Sequence, residues 1–310
     1  MVHDLQILTP REVPLGGPRA MTVRRTIPSR SRSLVGAWCF LDHYGPDDVA
    51  ATGGMRVPRH PHTALATVSW VYTGEIEHRD STGAHAIVRP GELNLMTAGR
   101  GVSHSEFSTP QTSTLHGVQL WFALPERERG TAPHFVHHVP EPMYVPGGIA
   151  RVFLGTLLGV ESPVPTPTAL LGAELLLDAD AETVLEVPAD HEHAVLLDDG
   201  EITVEGRALE EAEVGYLPPG RTRITLRSAT GARLLIIGGE PLGEQIVMWW
   251  NFVGRDHEDI VAAREQWMAE TSAEGGAPVT GRERFGPFPE GQPAALPAPA
   301  LPGGRLRARG

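Results

Sequence analysis

The stretch VYTGEIEHRDSTGAHAIVRPGELNLM, at residues 71–96, indicates the fold of this 310-residue chain. Short apolar runs alternate there with turn residues, a pattern typical of consecutive β-strands joined by tight turns. A second stretch, LLDDGEITVEGRALEEAEVGYLP at residues 196–218, repeats the same order. Both contain a strand, Gly-Glu-Ile, a second strand, a turn, a third strand, and then an acidic turn into another apolar strand. The two copies predict a duplicated β-domain.

Other apolar runs of strand length precede residue 255, whereas helix-period patterns are scarce there. They are rich in β-branched or aromatic residues and are bounded by Gly, Pro, Asp or Ser. The clearest examples are residues 66–72, 84–88, 117–124, 150–154, 174–177 and 233–237. Many short strands of this kind predict a sandwich or a barrel. We expect the boundary between the two copies in the Pro- and His-rich stretch 125–146.

One helix is predicted late in the chain, at residues 256–270, with the sequence DHEDIVAAREQWMAE. Asp256 can accept hydrogen bonds from amides of the first turn, which is the usual role of an N-terminal cap. Ile260, Ala263 and Trp267 share one face of such a helix. We expect that face to pack against the second barrel, with the neighbouring Trp249 and Trp250 in the core between barrel and helix.

Composition excludes several classes of protein. The net charge of −12 argues against generic binding to duplex nucleic acid, which needs many Lys and Arg contacts to phosphate. No apolar run is long enough for a membrane helix, and the first residues lack the pattern of a secretory signal. The single cysteine, Cys39, excludes an internal disulfide and is expected to be a buried apolar residue. We therefore expect a cytoplasmic protein with no direct nucleic-acid or membrane partner.

Two short motifs carry the chemistry: His-Pro-His at residues 60–62 and His-Ser-Glu at residues 104–106. Side chains two residues apart on a β-strand point to the same face, so each motif can aim both of its groups into one barrel. Three imidazoles and one carboxylate suit a divalent first-row metal such as Fe, Mn, Co, Ni, Cu or Zn. An all-oxygen shell, which Ca²⁺ or Mg²⁺ would favour, is not present.

The frame around these motifs resembles the pirin family. The matching segments are RHPHTALATVSWVYTGEIEHRDSTG at 59–83 and RPGELNLMTAGRGVSHSE at 89–106, which are similar to the amino-terminal cupin motifs of pirins. Further matches are RTIPSRSRSLVGAWCFLDHYGP upstream, LHGVQLWFALP at 115–125 and GGEPLGEQIVMWWNFVGRDHEDI at 238–260. The resemblance covers about residues 20–290.

The resemblance implies an all-β bicupin, with two β-barrel or jelly-roll cupin domains and a short C-terminal helix. The expected division is a metal-binding N-terminal cupin at residues 1–130 and a C-terminal cupin with the helix at 131–290. The Pro-, Ala- and Gly-rich residues 291–310 are expected to be a disordered tail.

In pirins the histidines of the first motif and the His and Glu of the second bind the metal. Carried over by match, these ligands are His60, His62, His104 and Glu106. The implied cofactor is one divalent ion, Fe(II) ahead of Mn, Co, Ni, Cu or Zn. Many pirins continue the first motif with Arg-Gly-Phe-Glu, where this chain has Thr-Ala-Leu-Ala at 63–66. This departure implies a smaller and less polar pocket beside the metal.

The second barrel carries a similar pattern at His191 and His193. Arg223 falls where a closing histidine would be needed, so we expect no second metal there, because a closed site takes three or four protein ligands. The second barrel is then structural, or a lid for the first. Three more histidines in family-like segments are expected to orient strands or ligands rather than bind metal, namely His43, His78 and His116.

The resemblance implies a metal-dependent dioxygenase of the quercetin 2,3-dioxygenase type, acting on a flavonol or a similar enol. Glu106 is the only carboxylate in the implied shell and is therefore the candidate catalytic base. The alternative is a non-enzymatic, metal-bearing and redox-sensing regulatory protein that binds a protein partner. A cupin isomerase or hydrolase-like enzyme on another small molecule is a third reading, and fold analogy does not decide among them.

Overall fold

The computed structural model describes residues 5–15, 21–272 and 283–310, and it contains two antiparallel β-barrels followed by a helix. Each barrel has one seven-stranded and one four-stranded sheet. The larger sheet of the first barrel contains β2 (Arg11–Pro14), β3 (Thr22–Ile27), β4 (Trp38–Asp48), β6 (Leu65–Thr73), β9 (Leu93–Thr97), β11 (Thr114–Ala123) and β12 (His134–His138). The smaller sheet contains β5 (Arg56–His62), β7 (Ile76–Asp80), β8 (His85–Val88) and β10 (Val102–Ser108), and a short helix α1 (Val49–Thr52) follows β4.

The second barrel repeats this plan. Its larger sheet contains β1 (Gln6–Leu8), β13 (Met143–Val145), β14 (Gly148–Leu154), β17 (Leu170–Leu177), β19 (Glu192–Gly200), β22 (Val214–Leu217) and β24 (Ala232–Gly239). Its smaller sheet contains β18 (Ala181–Glu186), β20 (Ile202–Val204), β21 (Arg207–Leu209) and β23 (Arg223–Ser228). Two ribbons and the long helix complete the chain: β15 (Thr156–Leu157) with β16 (Val160–Glu161), β25 (Val247–Trp249) with β26 (Phe252–Gly254), and α2 (His257–Ser272).

The predicted duplication is visible in the strands. The first quoted stretch forms the end of β6, then β7, β8 and β9, and the second forms the end of β19, then β20, β21 and β22. Sheet membership crosses the expected division at residue 130 in two places. Strand β1 pairs with β22 of the second barrel, and β12 pairs with β9 of the first. The first described strand therefore belongs to the second barrel, and the first barrel extends beyond residue 130.

The two large sheets pack face to face and form a shared apolar core between the barrels. This core joins residues of both domains, among them Leu41, Val68, Leu196 and Ile237, all buried. Trp38 anchors the contact, because its indole N–H donates to the carbonyls of Leu171 and Gly238 in the second barrel at 3.1 Å each.

Strand alternation gives the large sheet of the first barrel two different faces. On β4, Phe40, Asp42 and Tyr44 line a cavity inside the first barrel, whereas Leu41 and His43 face the second barrel. Successive side chains of a strand point to opposite faces, so one sheet serves both the cavity and the domain contact. The cavity is therefore walled by a sheet whose other side is held by the second domain.

A buried polar cluster lies within this domain contact. The Nε2 atoms of His43 and His116 lie 2.6 Å and 2.7 Å from one carboxylate oxygen of Asp198, and Arg233 donates to the other at 3.2 Å. Burial alone would raise the pKa of Asp198, but the hydrogen bonds from both histidines outweigh it and hold that pKa below its ordinary value. The cluster joins strands of both barrels, because His43 and His116 lie on β4 and β11 whereas Asp198 and Arg233 lie on β19 and β24.

Helix α2 confirms the predicted helix, and its first turn is capped as expected, with the Asp256 carboxylate accepting from the amide of Asp259 at 2.9 Å. Ile260, Ala263 and Trp267 are buried on one face. That face packs on the β25–β26 ribbon, which contacts β5 of the first barrel. The prediction that it packs against the second barrel is therefore wrong. Neither described helix has the length and apolar composition needed to cross a bilayer.

Residues 291–310, for which a disordered tail was predicted, contact β5 and α2 in the structure. The amide of Leu296 donates to the carbonyl of Arg59 on β5 at 2.8 Å, and the indole N–H of Trp267 donates to the carbonyl of Leu296 at 2.9 Å. Ala298 is buried in the cluster around α2. Proline restricts the backbone, so ordering such a segment costs less conformational entropy than its composition suggests.

We predict that Asp198→Ala destabilises the protein by about 3 kcal/mol at neutral pH, because it leaves buried donors of both domains without an acceptor. The pKa of Asp198 is lower in the folded state than in the unfolded chain. Its stabilisation is thus complete above the unfolded pKa of about 3.9 and disappears as pH falls through the lower folded value. Urea unfolding from neutral pH down to about pH 3 measures the difference from wild type.

The matched control is Asp199→Ala, which removes an exposed carboxylate from the next residue. It should leave the free energy of unfolding within about 0.5 kcal/mol of wild type. Equal effects of the two substitutions would contradict a specific role for Asp198.

Candidate metal centre

The two histidine motifs lie on neighbouring strands of the small sheet in the first barrel. Strands β5 and β10 pair antiparallel, with His104 opposite His60 and Val102 opposite His62. The register shifts beyond His104, where the step from His104 to Glu106 on β10 faces the longer step from His60 to Val57 on β5. The extra residue therefore lies on β5. Sequence spacing placed each pair on one face, and the pairing of these strands brings the two pairs together.

The three imidazoles of His60, His62 and His104 form one buried cluster. Their ring centroids lie 4.2 to 5.0 Å apart, and one ligating atom from each lies within 4.8 Å of the other two. The Nε2 atoms of His62 and His104 are 3.0 Å apart. Such a separation is compatible with two ligands of one ion.

Contacts on the far side of each ring determine which nitrogen carries the proton. The Nδ1 of His60 lies 2.9 Å from the Pro58 carbonyl, and the Nδ1 of His62 lies 3.1 Å from the Asn251 carbonyl. A carbonyl accepts only, so each Nδ1 carries the hydrogen and each Nε2 keeps its lone pair. The free lone pair of His62 then points toward His104, whose Nε2 lies 3.0 Å away. Hydrogen bonds of this type orient metal-binding histidines in proteins.

His104 is oriented by a chain of two more side chains. Its Nδ1 lies 3.4 Å from the Nδ1 of His78, and the Nε2 of His78 lies 3.2 Å from Asp80. Asp80 also accepts from the Thr82 amide and hydroxyl at 2.8 Å and 2.6 Å. The carboxylate accepts from His78 Nε2–H, which leaves His78 Nδ1 to accept from His104. This tautomer order points the His104 Nε2 lone pair into the cluster.

The cluster is electrically neutral in the protein at neutral pH. Burial lowers the pKa of His60 to about 4 and holds the pKa values of His62 and His104 well below the ordinary histidine value. Neutral imidazole is the form that binds metal. Lone pairs that face each other across 3.0 Å repel unless an electropositive centre lies between them, so the donor set fits a divalent ion.

Glu106 lies at the edge of this cluster. Its side chain is buried, and one carboxylate oxygen accepts from the Ser69 hydroxyl at 3.2 Å. Its ligating atom groups with those of His78 and His104 rather than with His60 and His62. Burial raises the pKa of Glu106, while His78 and Ser69 oppose that shift. Glu106 is thus a carboxylate beside the histidines that can hold a proton more readily than an exposed one.

The histidines open into a cavity of about 530 Å³, a size that holds a small organic molecule. Its walls are largely aromatic and apolar: Phe40 and Trp121 stack with ring centroids 3.9 Å apart. The only charged pair in the wall among described residues besides the cluster is Arg25 with Asp42, joined by two hydrogen bonds of 2.6 Å and 2.7 Å. The wall therefore suits a flat, weakly charged ligand.

Parts of the chain far from the motifs complete the cavity. Trp249 and Trp250 of the β25–β26 ribbon line it, together with Leu296 and Pro297. Both tryptophans also pack on the cluster around α2, as expected, but their contribution to the cavity was not predicted. Asn251, which orients His62, was missed as well. Nothing in local spacing marks these residues, since only tertiary packing brings them to the histidines.

The sequence did contain a signal that could have identified Asp80 as a partner of His78. It lies two residues after His78 on β7, so both side chains share one face of the strand. None of residues 63–66 lines the cavity, and the Thr63 hydroxyl donates to the Val253 carbonyl at 3.1 Å. That this departure makes the pocket smaller and less polar than in other pirins stays a prediction.

The look-alike motif in the second barrel is built differently. The ring centroids of His191 and His193 are 6.1 Å apart, and Arg223 pairs across strands with Glu186. Burial lowers the pKa of His193 to about 4, with a smaller contribution from His191. Arg223 is exposed and cannot serve as a ligand, because a guanidinium offers no lone pair at neutral pH.

The cluster of His43, His116 and Asp198 also has three ligating atoms close together. Its charge is already balanced, because Arg233 and Arg151 face Asp198 and Glu174. An added divalent cation would therefore carry uncompensated charge into a buried contact. We interpret this cluster as the domain contact described above.

These features define a class: a two-barrel cupin with a buried cluster of neutral histidines in the wall of a largely aromatic cavity. Residues 20–122 match the sequence model of the Pirin family, and residues 172–272 match that of the Pirin C-terminal cupin domain. A Caulobacter vibrioides pirin-like protein is 35% identical and covers 80% of this chain and 88% of its own. The chain belongs to the pirin family.

Two relatives carry a more specific name. A Pseudomonas aeruginosa protein provisionally named a quercetin 2,3-dioxygenase is 40% identical over 97% of this chain and 91% of its own. The crystal structure of a quercetin 2,3-dioxygenase from Acinetobacter baumannii has a TM-score of 0.89 and 36% identity, and covers 98% of this chain and 97% of that one. A bacterial pirin from Escherichia coli in complex with nickel(II) shares the fold, with a TM-score of 0.60, 18% identity, and coverage of 77% and 100%.

We predict that His78→Ala and Asp80→Asn each weaken metal binding by about 10- to 100-fold, because the His104 tautomer is no longer held. Competition with a chromophoric chelator measures the affinity for added Fe(II) or Ni(II). His85→Ala is the control, because His85 is half-exposed on the adjacent strand β8 and contacts Glu77 only at the surface. Unchanged affinity in both His78→Ala and Asp80→Asn would exclude the proposed orientation.

Proposed function

We propose that this pirin is a metal-dependent dioxygenase of the quercetin 2,3-dioxygenase type, with iron held in the histidine cluster of the first barrel. The observation that carries the proposal is a buried cluster of three neutral imidazoles in the wall of a largely aromatic cavity, with the Nε2 atoms of His62 and His104 3.0 Å apart. The names of two well-covered relatives, each at least 36% identical, support the same activity.

His60, His62 and His104 would hold the ion through Nε2, with Glu106 as the fourth ligand. Imidazole with one carboxylate suits iron, and also Mn, Co, Ni, Cu or Zn. The nickel(II) complex of the Escherichia coli pirin supports a divalent first-row metal on this fold. When bound, such an ion supplies Lewis acidity and a route for electrons to O₂.

The chain's own residues supply binding and proton transfer. The aromatic walls accept a planar ring system, which favours a flavonol or a similar enol as substrate. Glu106 is the candidate catalytic base for the substrate hydroxyl. The carboxylate oxygen that does not bind the ion would accept the proton, and the Ser69 hydroxyl restrains the carboxylate by donating to it at 3.2 Å.

Burial of the site supports chemistry that excludes bulk water. All three histidines and Glu106 are at most 6% exposed, so charges that develop there are weakly screened by solvent. We also propose a cytoplasmic location, with which the buried and free Cys39 is consistent.

We expect His104→Ala to lose both bound metal and oxygen consumption with quercetin. Glu106→Gln should retain part of the metal, because three imidazoles remain, and lose at least about 100-fold in turnover, as expected when a general base is removed. Elemental analysis after anaerobic loading with Fe(II), followed by an oxygen electrode, gives both values. Glu77→Gln, outside the cavity on β7, is the matched control.

Two outcomes would separate the alternatives. Full oxygen consumption by a metal-free preparation would overturn a metal-dependent reaction. Stoichiometric iron with no oxygen consumption across a flavonol panel would favour the regulatory protein with a protein partner.

A further inference from the structure

The C-terminal segment at residues 283–310 lies against the strand that carries two of the histidines. The Leu296 amide donates to the carbonyl of Arg59, the residue immediately before His60, at 2.8 Å. The Leu296 carbonyl accepts from the Trp267 indole at 2.9 Å. Both backbone polar groups of Leu296 are therefore paired, which determines the position of its side chain relative to the histidine strand.

The segment is attached on both sides of Leu296. Before it, the Ser103 hydroxyl of β10 donates to the Phe285 carbonyl at 2.9 Å. After it, Arg309 and Ile246 exchange two backbone hydrogen bonds of 2.7 Å and 2.8 Å. These contacts make the segment a fixed part of the first barrel's wall.

The Leu296 side chain and Pro297 line the same cavity as the histidines, and Leu296 also packs on a buried cluster inside the first barrel that includes Tyr44. The side chains of leucine and proline offer no hydrogen-bond donor or acceptor to a ligand. At this position they contribute bulk and apolar surface. A ligand that reaches the histidines therefore meets a rigid apolar wall at the C-terminal segment.

We propose that Leu296 and Pro297 determine substrate size, so that the cavity accepts a planar aromatic enol without bulky polar substituents and excludes its glycosides. This inference rests on the proposed function for the choice of an enol. A sugar placed against these two residues would lose hydrogen bonds to water without replacement, which is unfavourable in addition to the steric conflict. The free aglycone buries only apolar ring surface there.

Anaerobic binding to the iron-loaded full chain tests the inference, with quercetin and its 4′-O-glucoside as probes. The glucoside keeps the 3-hydroxyl and 4-carbonyl oxygens that can chelate a metal. We expect wild type to bind quercetin at least about tenfold more tightly. Leu296→Ala should reduce this preference by about tenfold, chiefly by improving glucoside binding, and Leu296→Trp should weaken binding of quercetin itself.

The matched control is Leu301→Ala. Leu301 lies in the same segment and packs on the cluster around α2, but it does not line the cavity. Leu301→Ala should leave the preference for quercetin over its glucoside unchanged. If Leu296→Ala acted only by loosening the whole segment, Leu301→Ala would change that preference as well. Metal content and the thermal midpoint of each variant verify that the fold and the centre are intact.

Three results would overturn the inference: equal binding of both probes to wild type, an unchanged preference in a folded and metal-loaded Leu296→Ala, or no binding of either probe. Oxygen consumption is measured separately on the same samples. Selective binding without oxygen consumption would reject the dioxygenase and retain the role of Leu296 and Pro297.

Discussion

The antiparallel pairing of β5 with β10 is the constraint on which the rest of the site depends. It places His60 directly opposite His104, and strand alternation then directs His62 into the same interior. A shift of one residue would turn each motif to the other face of the sheet. The extra residue at the register shift lies on β5, between Val57 and His60, so β10 continues without interruption and keeps His104 and Glu106 on one face. This one register thus determines the positions of the three imidazoles and of the carboxylate.

Contacts from other elements then determine which nitrogen of His62 and of His104 is free. The Asn251 carbonyl comes from the β25–β26 ribbon, almost 190 residues from His62 in sequence, and it determines which nitrogen of that ring is free. His78 and Asp80 have the same role for His104. Burial keeps all three ligand candidates neutral. The candidate centre therefore depends on which ring nitrogens carry protons as well as on where the three imidazoles lie.

The second barrel has no comparable histidine centre of its own among the described residues, but it supports the wall of the cavity in the first barrel. Its large sheet packs on the back of the sheet whose inner face lines the cavity, and Asp198 ties the two sheets through His43 and His116. A cavity wall held from behind in this way keeps its side chains in place at low entropic cost when a ligand binds. Duplication thus supplies a support for the first barrel in addition to a second copy of the fold.

The sequence by itself determined the all-β duplicated architecture, the capped helix and the pairs of side chains that share a face, because these depend on periods of two and 3.6 residues. The family-like frame then selected His60, His62, His104 and Glu106 among 14 histidines and many carboxylates. Only the tertiary structure decided that α2 packs on the ribbon rather than on the second barrel, that the Pro-rich segment contacts β5 and α2, and that Trp249, Trp250 and Leu296 close the cavity. These depend on contacts between residues far apart in sequence, which no local period encodes.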